Sequence, residues 1–196
     1  MKITFATHNA YKLKEVRQML LAPFDIISLT DMDYHEEIPE PYETIKENSI
    51  HKAKTIYEQF KTNVIAEDTG LEVSALGGAP GVYTARYAGE KATAEENMTK
   101  LLQALEGKKD RNAQFRTVAS LVYKEKYVIF EGILKGHIAY KKEGNQGFGY
   151  DPVFIPEGYN QTLAQMGDVE KNKISHRAIA FDKLVQFLKE NVQDTK

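Results

Sequence analysis

The stretch that most constrains this chain is an apolar run, VIAEDTGLEV at 64–73, that contains two adjacent carboxylates, Glu67 and Asp68. The run is typical of a buried β-strand, and an isolated ionised carboxylate in a core costs far more free energy than a hydrogen bond returns. Each side chain therefore requires a solvated cleft, a cation or a metal ion. Neighbouring side chains on a strand point to opposite faces of the sheet, which predicts different tasks for the two. The alternative is a strand that ends here, with residues 68–70 as a turn.

Composition and charge exclude several classes of protein. The net charge of −2 gives the chain no overall basic field, so neither a nucleic acid polymer nor a membrane is an expected partner. A chain without cysteine has no disulfides, thiolate zinc sites or cysteine nucleophile. The sequence contains no apolar span of about 18 residues and begins with a predicted strand instead of a signal peptide, so we expect a cytoplasmic protein. Because no repeat or linker interrupts the 196 residues, we assign one domain to residues 1–196.

A polar loop at 7–12 joins the first predicted strand to a helix. Asn9 is the predicted N-cap, which places Lys12 in the first turn. A cation there is disfavoured by roughly 0.3–1 kcal/mol, because the positive end of the helix dipole repels it. An anion bound to the backbone N–H groups of the helix start would account for the lysine. The alternative is a solvated surface lysine.

The start of the C-terminal helix repeats this pattern. Ser175 is the predicted N-cap, so His176 and Arg177 occupy the first turn. Lys171 and Lys173 lie just upstream and make this the densest basic cluster outside the termini. The pattern predicts a second helix start that faces an anionic or electron-rich group.

An acidic loop interrupted by proline, at 31–41, precedes the second predicted helix. It carries three glutamates, including Glu40, and is the only nearby source of a second carboxylate for a metal ion. Lys52 lies off the apolar stripe of the following helix and is predicted to reach a cleft. The alternative is a loop that is merely solvated.

A glycine-rich loop at 144–152 contains an aromatic residue, Phe148, between two glycines. An exposed aromatic ring on a loop can stack on a nucleobase, which is typically worth about 1–3 kcal/mol. The alternative is a hairpin turn with packed aromatic side chains. The remaining predicted elements are strands at 24–29, 113–123, 127–140 and 153–155, and a helix capped by Thr93 that ends at Gly107.

A nucleotide site accounts for all of these features at once. A triphosphate would bind to the loop at 7–12, Mg²⁺ to the carboxylates, and the base between Phe148 and the His176–Arg177 turn. Magnesium prefers hard oxygen ligands and often bridges phosphates. Bound there, it would neutralise charge on the reacting phosphate.

Five sequence blocks extend this interpretation, and together they resemble the inosine/xanthosine triphosphate pyrophosphatase family, whose members remove non-standard purine nucleotides. The blocks occur in the family's order, and the resemblance runs from residue 2 to about residue 188. They are THNAYK at 7–12, EDTGL at 67–71, GAPGVY at 78–83, GFGYDP at 147–152 and SHR at 175–177.

The resemblance implies a fold, a reaction and an assembly. The fold is α/β, with an elongated mixed sheet flanked by helices and two lobes with a nucleotide cleft between them. The reaction is Mg²⁺-dependent hydrolysis of ITP, dITP and XTP to the nucleoside monophosphate and pyrophosphate. The implied assembly is a homodimer, and the implied ligand is a purine nucleoside triphosphate.

The resemblance also implies roles for individual residues. Asp68 would be the general base and a Mg²⁺ ligand, Glu40 the second carboxylate, and Glu67 a group that orients water or metal. The residues implied to bind substrate are Thr7, His8, Asn9, Ala10, Tyr11 and Lys12 in the first loop, Lys52 at the phosphates, Thr69, Phe148, Gly149, Tyr150 and Asp151 near the purine, and Lys171, His176 and Arg177 as readers of the base.

A few positions depart from the family pattern. Glu67 and Thr69 stand where many relatives have aspartate and serine, and His8 replaces a small residue of the first loop. Thr69 keeps the hydroxyl group of serine, and Glu67 keeps the carboxylate of aspartate. None of the three changes removes a necessary group.

Base selectivity follows from hydrogen-bonding chemistry. A 6-keto purine presents an acceptor where adenine presents an amino donor, and arginine and lysine can only donate. A pocket lined with such donors would leave adenine unpaired, which can discriminate by about 10⁴ or more. Guanine is also 6-keto, so rejection of GTP would depend on its 2-amino group.

Two alternatives differ in class. The chain could act on modified pyrimidine nucleotides, as the structurally similar septum-formation inhibitor family does, although that family is not expected to carry the blocks at 147–152 and 175–177 in this form. It could also be a nucleotide-binding module without catalysis. Such a module would bind triphosphates and release no pyrophosphate.

Overall fold

The computed structural model describes residues 1–192, and it is an α/β structure. Its strands are β1 Lys2–Phe5, β2 Asp25–Ser28, β3 Val64–Val73, β4 Pro80–Gly81, β5 Asn112–Tyr123, β6 Lys126–Ile138 and β7 Phe154–Pro156. Its α-helices are α1 Ala10–Met19, α2 Ile45–Phe60, α3 Ala94–Ala104, α4 Leu163–Met166, α5 Asp168–Ile174 and α6 His176–Val192.

The strands form one mixed sheet in the order β2-β1-β3-β5-β6-β7, with β4 paired to β3. β1 runs parallel to β2 and β3, whereas β4 and β7 run antiparallel to β3 and β6. The parallel register pairs Thr4 with Val64 and Phe5 with Ile65. The predicted α/β class with a mixed sheet and flanking helices is confirmed.

The chain divides into two compact units that share its long strands. Unit 1 comprises Met1–Asp68, Thr117–Gly132 and the chain from Arg177 onward, and unit 2 comprises Thr69–Arg116 and Ile133–His176. The sequence suggested one compact body, and the assignment of a single domain stays a prediction.

Unit 1 has a buried cluster on each face of its sheet, and the side chains follow the period of two that a strand imposes. On β3, Ile65 belongs to the cluster that includes α1 and α6, while Val64 and Ala66 belong to the cluster that includes α2. The same alternation continues on β5, where Leu121 and Val122 belong to opposite clusters. Unit 1 is therefore a sheet covered by helices on both faces.

The first helix begins at its predicted cap, and the second helix begins in a similar way. The Asn9 side chain accepts hydrogen bonds from the backbone N–H groups of Tyr11 and Lys12 and caps α1. Thr44 caps α2 by accepting from the N–H of Glu47. Each cap satisfies N–H groups that a helix start leaves without an intrahelical partner.

Unit 2 has a core of its own, where α3 packs on the sheet. Leu101 and Leu105 contribute from the α3 region and Phe115 from β5, and Phe154 contributes from β7. Thr93, the predicted cap of α3, forms a capping box with Glu96.

Two expectations about local structure differ from the observed one. β3 continues through residues 68–70, so the alternative turn at this point is wrong. Residues 168–174, left without a predicted element, form helix α5. Within residues 1–192, no helix combines the length and apolar character needed to cross a bilayer.

Candidate functional site

The predicted site residues fall into two sets, one in each unit. Unit 1 holds those of the first loop, the acidic loop, α2, the first part of β3, and Arg177. Unit 2 holds Thr69, the loop around Phe148, and the two basic residues Lys171 and His176.

The first loop connects the end of β1 to the first turn of α1 and is ordered by its own side chains. Thr7 Oγ1 accepts a hydrogen bond from the N–H of Asn9 at 3.1 Å. Asn9 Oδ1 accepts from the N–H groups of Tyr11 at 3.0 Å and Lys12 at 3.2 Å. Ala10 is the first helical residue, and the loop forms the strand-loop-helix geometry that suits a phosphate group.

His8 joins the first loop to the acidic loop. Its Nε2 atom lies 2.8 Å from the carbonyl oxygen of Glu36, and its ring stacks against that of Tyr34. This departure from the family pattern therefore ties two loops of unit 1 together.

Glu67 lies at the centre of a buried charge network. Arg177 donates from Nε to Glu67 Oε2 and from Nη2 to Glu67 Oε1, both at 2.8 Å, which is a bidentate contact. Lys12 Nζ lies 3.1 Å from Glu67 Oε1. Arg177 also donates from Nη1 to Glu15 at 2.5 Å. Two carboxylates thus balance two cations.

Burial and charge oppose each other at Glu67. Burial alone raises the pKa of this carboxyl, but the attraction of Arg177 and Lys12 outweighs it and holds the pKa well below its ordinary value. Burial lowers the pKa of Arg177, and the two glutamates more than offset this, so its pKa is raised. Both groups are therefore charged, and both oxygens of Glu67 contact cations.

Asp68 points to the opposite face of the strand and contacts α2. Lys52 Nζ lies 2.5 Å from Glu40 Oε1 and 3.5 Å from Asp68 Oδ1. Burial lowers the pKa of Lys52, and the two carboxylates raise it above its ordinary value, so the ammonium is retained. Two of the predicted metal ligands, one from the acidic loop and one from β3, are therefore gathered around one cation.

The donor set of Glu40 and Asp68 fits a magnesium ion. Both supply hard carboxylate oxygens, and Mg²⁺ is usually held by one or two protein carboxylates together with substrate phosphates. Within residues 1–192, no three Asp, Glu, His or Cys side chains gather as a complete metal cage. A magnesium ion at this place would thus take the rest of its coordination from water molecules and, when substrate is bound, from phosphate oxygens.

The loop around Phe148 in unit 2 is built on a buried aspartate. Asp151 Oδ2 accepts hydrogen bonds from the N–H of Phe148 at 2.8 Å and from Lys171 Nζ at 2.7 Å. The ammonium of Lys171 also lies 4.5 Å from the centre of the Phe148 ring. A Cβ atom at Gly147 would overlap Asp151 Oδ2 unless the carboxylate moved, so the position favours glycine. The loop therefore presents its aromatic ring in a fixed pose.

The other predicted residues of unit 2 are packed or partly buried. The His176 ring stacks on Phe115 with centroids 4.6 Å apart. Tyr150 is buried and donates from its hydroxyl to the carbonyl of Thr84 at 2.9 Å, and burial raises its pKa. Gly149 adopts a positive φ of 64°, and Thr69 is half-buried on β3.

A pocket of about 590 Å³ in unit 2 is lined by none of the predicted site residues. Its lining includes Glu72, Gln114, Lys135 and His137. Glu72 accepts from Gln114 at 2.6 Å and pairs with Arg116 at 3.1 Å. This pocket has no part in the predicted chemistry.

Sequence reasoning missed two buried polar residues of unit 1, Glu15 and Asn48. Glu15 lies one turn after Lys12 on α1, where its charge looks like that of any surface glutamate. Asn48 follows the cap of α2 and bonds to the backbone of Tyr42. The partners of both are distant in the chain or belong to the backbone, so no local pattern identifies them.

We expect Glu67→Gln to destabilise the protein by about 3–5 kcal/mol, because it removes one partner of a buried ion pair and leaves Arg177 insufficiently neutralised. Urea unfolding measures this loss. The matched control is Glu58→Gln, which breaks an exposed pair with Lys54 on α2 and should cost at most about 0.5 kcal/mol. Equal losses in the two variants would contradict a central role for Glu67.

We expect Gly147→Ala to be more harmful than Gly149→Ala. Both positions have positive φ, so both substitutions carry about 1–2 kcal/mol of backbone strain. The Cβ atom at Gly149 meets no neighbour within 4 Å, whereas the one at Gly147 displaces Asp151, which should add about 1–3 kcal/mol. Thermal unfolding of the two variants measures the difference, and equal losses would rule out the contact with Asp151 as the cause.

The comparison with protein families identifies one match that spans nearly the whole chain. The model of the Ham1 family matches residues 3–187. A dITP/XTP pyrophosphatase from Flavobacterium psychrophilum is 48% identical over 189 residues, which is 96% of this chain and 100% of that protein. A dITP/XTP pyrophosphatase from Porphyromonas gingivalis is 46% identical over 188 residues, 95% of this chain and 97% of that protein.

Solved structures agree with the family match. The Staphylococcus aureus Ham1 protein superposes with a TM-score of 0.89 at 36% identity, covering 97% of this chain and 100% of that one. A nucleoside-triphosphatase, dITP/XTP pyrophosphatase, from Mycobacterium abscessus gives a TM-score of 0.77 at 37% identity, covering 94% and 98%. Since sequence and fold agree over almost the full length, this chain belongs to the Ham1 family.

Proposed function

We propose that this chain is a hydrolase that converts ITP, dITP and XTP to the nucleoside monophosphate and pyrophosphate, acting as a single domain over residues 1–196. The observation that carries the proposal is the cluster of Glu40, Lys52 and Asp68. It lies in a chain that is 43–48% identical to relatives named dITP/XTP pyrophosphatase. Lys52 lies between the buried Asp68 and the half-buried Glu40, and carboxylate pairs of this kind are ligands that Mg²⁺ uses in phosphate chemistry.

In unit 1 we assign Glu40 and Asp68 as the residues that would hold Mg²⁺. When bound, the ion would neutralise the negative charge of the triphosphate. Glu67 already contacts Arg177 and Lys12 with both oxygens. We therefore assign it the task of holding these two cations, in place of the metal contact expected from the sequence.

The phosphates would bind to the first loop and to the lysines of unit 1. The hydroxyl of Thr7 and the side-chain amide of Asn9 can donate hydrogen bonds, and Lys12 and Lys52 offer positive charge. His8, Ala10 and Tyr11 complete this loop. Because Lys12 and Lys52 are each oriented by carboxylates, they are positioned before substrate arrives, which lowers the cost of binding.

Asp68 would act as the general base. It would take a proton from a water molecule as the water oxygen forms its bond to phosphorus, and the α–β phosphoanhydride bond would break to release pyrophosphate. The ammonium of Lys52, 3.5 Å from Asp68 Oδ1, helps to orient this carboxylate.

In unit 2 we assign the purine to the loop around Phe148. Its ring would stack on the base, with Thr69, Gly149, Tyr150 and Asp151 next to it. Lys171 and His176 would contact the base as donors that accept a 6-keto purine and reject adenine. Arg177, the third base reader implied by the resemblance, lies in unit 1, where its Nε, Nη1 and Nη2 atoms bind Glu67 and Glu15. The ion pair of Lys171 with Asp151 supports a fixed donor geometry.

The assembly and location complete the proposal. We propose a homodimer, which the family resemblance supports. We also propose the cytoplasm as its location, because the nucleotide pool that it would clear lies there.

A pyrophosphate-release assay tests the function directly. With Mg²⁺, we expect turnover of ITP, dITP and XTP and at least about 10²-fold less for ATP, because adenine leaves the donors of the pocket unpaired. GTP and dUTP are assayed alongside. Removal of Mg²⁺ with EDTA should abolish turnover. Preference for a modified pyrimidine would favour the pyrimidine-directed alternative, and binding without pyrophosphate release would favour a non-catalytic module.

We expect Asp68→Asn to lower kcat at least about 10²-fold, which is the scale of lost general-base catalysis. The fold should persist, because asparagine has the same shape and still contacts Lys52. Steady-state kinetics with ITP and circular dichroism measure the two effects. Asp182→Asn, at an exposed position of α6, is the control, and unchanged turnover of the Asp68 variant would refute the assignment.

A further inference from the structure

Asn48 is a completely buried amide whose two ends both bind the backbone of a single residue. Its Oδ1 accepts a hydrogen bond from the N–H of Tyr42 at 2.9 Å, and its Nδ2 donates to the carbonyl of Tyr42 at 3.0 Å. Its exposed fraction is 0%. Two bonds to the N–H and C=O of one residue fix both the position and the direction of the chain at that point.

The chain fixed at Tyr42 leads directly to Glu40. The residue between them is Pro41, whose ring sets its own φ near −65°. A proline also confines the residue before it to extended backbone, and that residue is Glu40. The backbone from Glu40 through Pro41 to Tyr42 is therefore stiff. The backbone position of Glu40 follows from where Asn48 holds Tyr42.

Helix α2, which carries Asn48, also contacts the side-chain carboxylate of Glu40. Lys52 lies four residues after Asn48 on α2, on the same face of the helix, and its ammonium contacts both Glu40 and Asp68. The Tyr42 ring packs edge-on against His51 of α2 at 5.4 Å. The backbone and the carboxylate of Glu40 are thus both set relative to α2.

Other anchors of the acidic loop act further from the metal ligand. Tyr34 is buried and packs on Phe60, and His8 contacts the carbonyl of Glu36. These hold the first half of the loop. Among the described contacts, the bonds of Asn48 lie closest in the chain to Glu40 on its C-terminal side.

We propose that Asn48 is a positioning residue, whose clamp on the Tyr42 backbone holds Glu40 where it can share a divalent cation with Asp68. This rests on the proposed function, in which those two carboxylates bind Mg²⁺. Groups that orient a metal ligand typically contribute 10–100-fold to metal affinity. Loss of the clamp should therefore weaken cation binding without touching any group that contacts substrate.

The test measures Mn²⁺ binding to the full-length protein, by the EPR signal of free Mn²⁺ in the absence of nucleotide. We expect Asn48→Ala to weaken Mn²⁺ binding by about 10-fold or more. Hydrogen–deuterium exchange of residues 33–43 should become faster in the same variant. Kinetics with ITP should show a raised Mg²⁺ requirement and a kcat that recovers at high Mg²⁺.

Asn97 provides a matched control in unit 2. It is a buried amide on α3 whose Oδ1 accepts from the N–H of Ala88 at 2.7 Å and whose Nδ2 donates to the carbonyl of Ala85 at 3.0 Å. Asn97→Ala loses a clamp of the same chemistry, so it should lower stability and leave Mn²⁺ binding unchanged. An equal weakening in both variants would overturn the proposal, because a general loss of stability would then explain it.

Two further variants keep the test decisive. Pro41→Gly leaves the clamp intact and loosens its connection to Glu40 at an exposed position, so it should also weaken Mn²⁺ binding even if Asn48→Ala does not fold. Glu40→Gln tests the proposed function. If Glu40→Gln binds Mn²⁺ like the wild type, the metal assignment fails. If it binds weakly while Asn48→Ala and Pro41→Gly bind normally, only the positioning role fails.

Discussion

The arrangement of unit 1 depends on how one buried carboxylate is neutralised. Burial alone would favour a protonated Glu67, and the bidentate contact with Arg177 together with the ion pair to Lys12 keeps it charged. Each of these charges is costly to bury without its partners, and Glu15 supplies the second anion that Arg177 requires. The four groups therefore specify how α1 and α6 pack on β3. Lys12, which belongs to the predicted phosphate loop, is placed by this buried network and not by the loop alone.

Because side chains alternate along β3, the charge network of Glu67 and the proposed catalytic carboxylate Asp68 lie on opposite faces of the sheet. Glu67 points to the face covered by α1 and α6, and Asp68, one residue later, points to α2. The first carboxylate is neutralised by cations within the core, whereas the second meets Lys52 and a carboxylate from a loop. A one-residue shift in register would exchange their surroundings. The parallel pairing of β1 with β3 is thus a condition for a base and a structural anion to stand side by side in the sequence.

Much of the fold could be predicted because its signals are local. The caps at Asn9 and Thr93, the apolar period of the helices and the strand at 64–73 were all recognisable, and the structure agrees with them. The helix at 168–174 was missed, since its lysines and asparagine give no apolar stripe. Asn48 was missed for a different reason, because a hydrogen bond to backbone leaves no complementary residue type in the sequence. The role of Glu67 was not predictable either. Its buried charge indicates that it has a positively charged partner, but the sequence does not show that the partners are Arg177 and Lys12.

The sequence by itself determined which groups require a partner or a ligand. They are two carboxylates in an apolar strand, cations at two helix starts, and an aromatic ring between glycines. These conclusions follow from the cost of burying charge and from backbone geometry, which act over a few residues. Only the tertiary structure decided which charges meet. Arg177 binds Glu67 across 110 residues of sequence and Glu15 across 162, and Lys52 lies between Glu40 and Asp68. Such pairings depend on how helices pack on the sheet, and packing joins residues whose separation along the chain carries no signal.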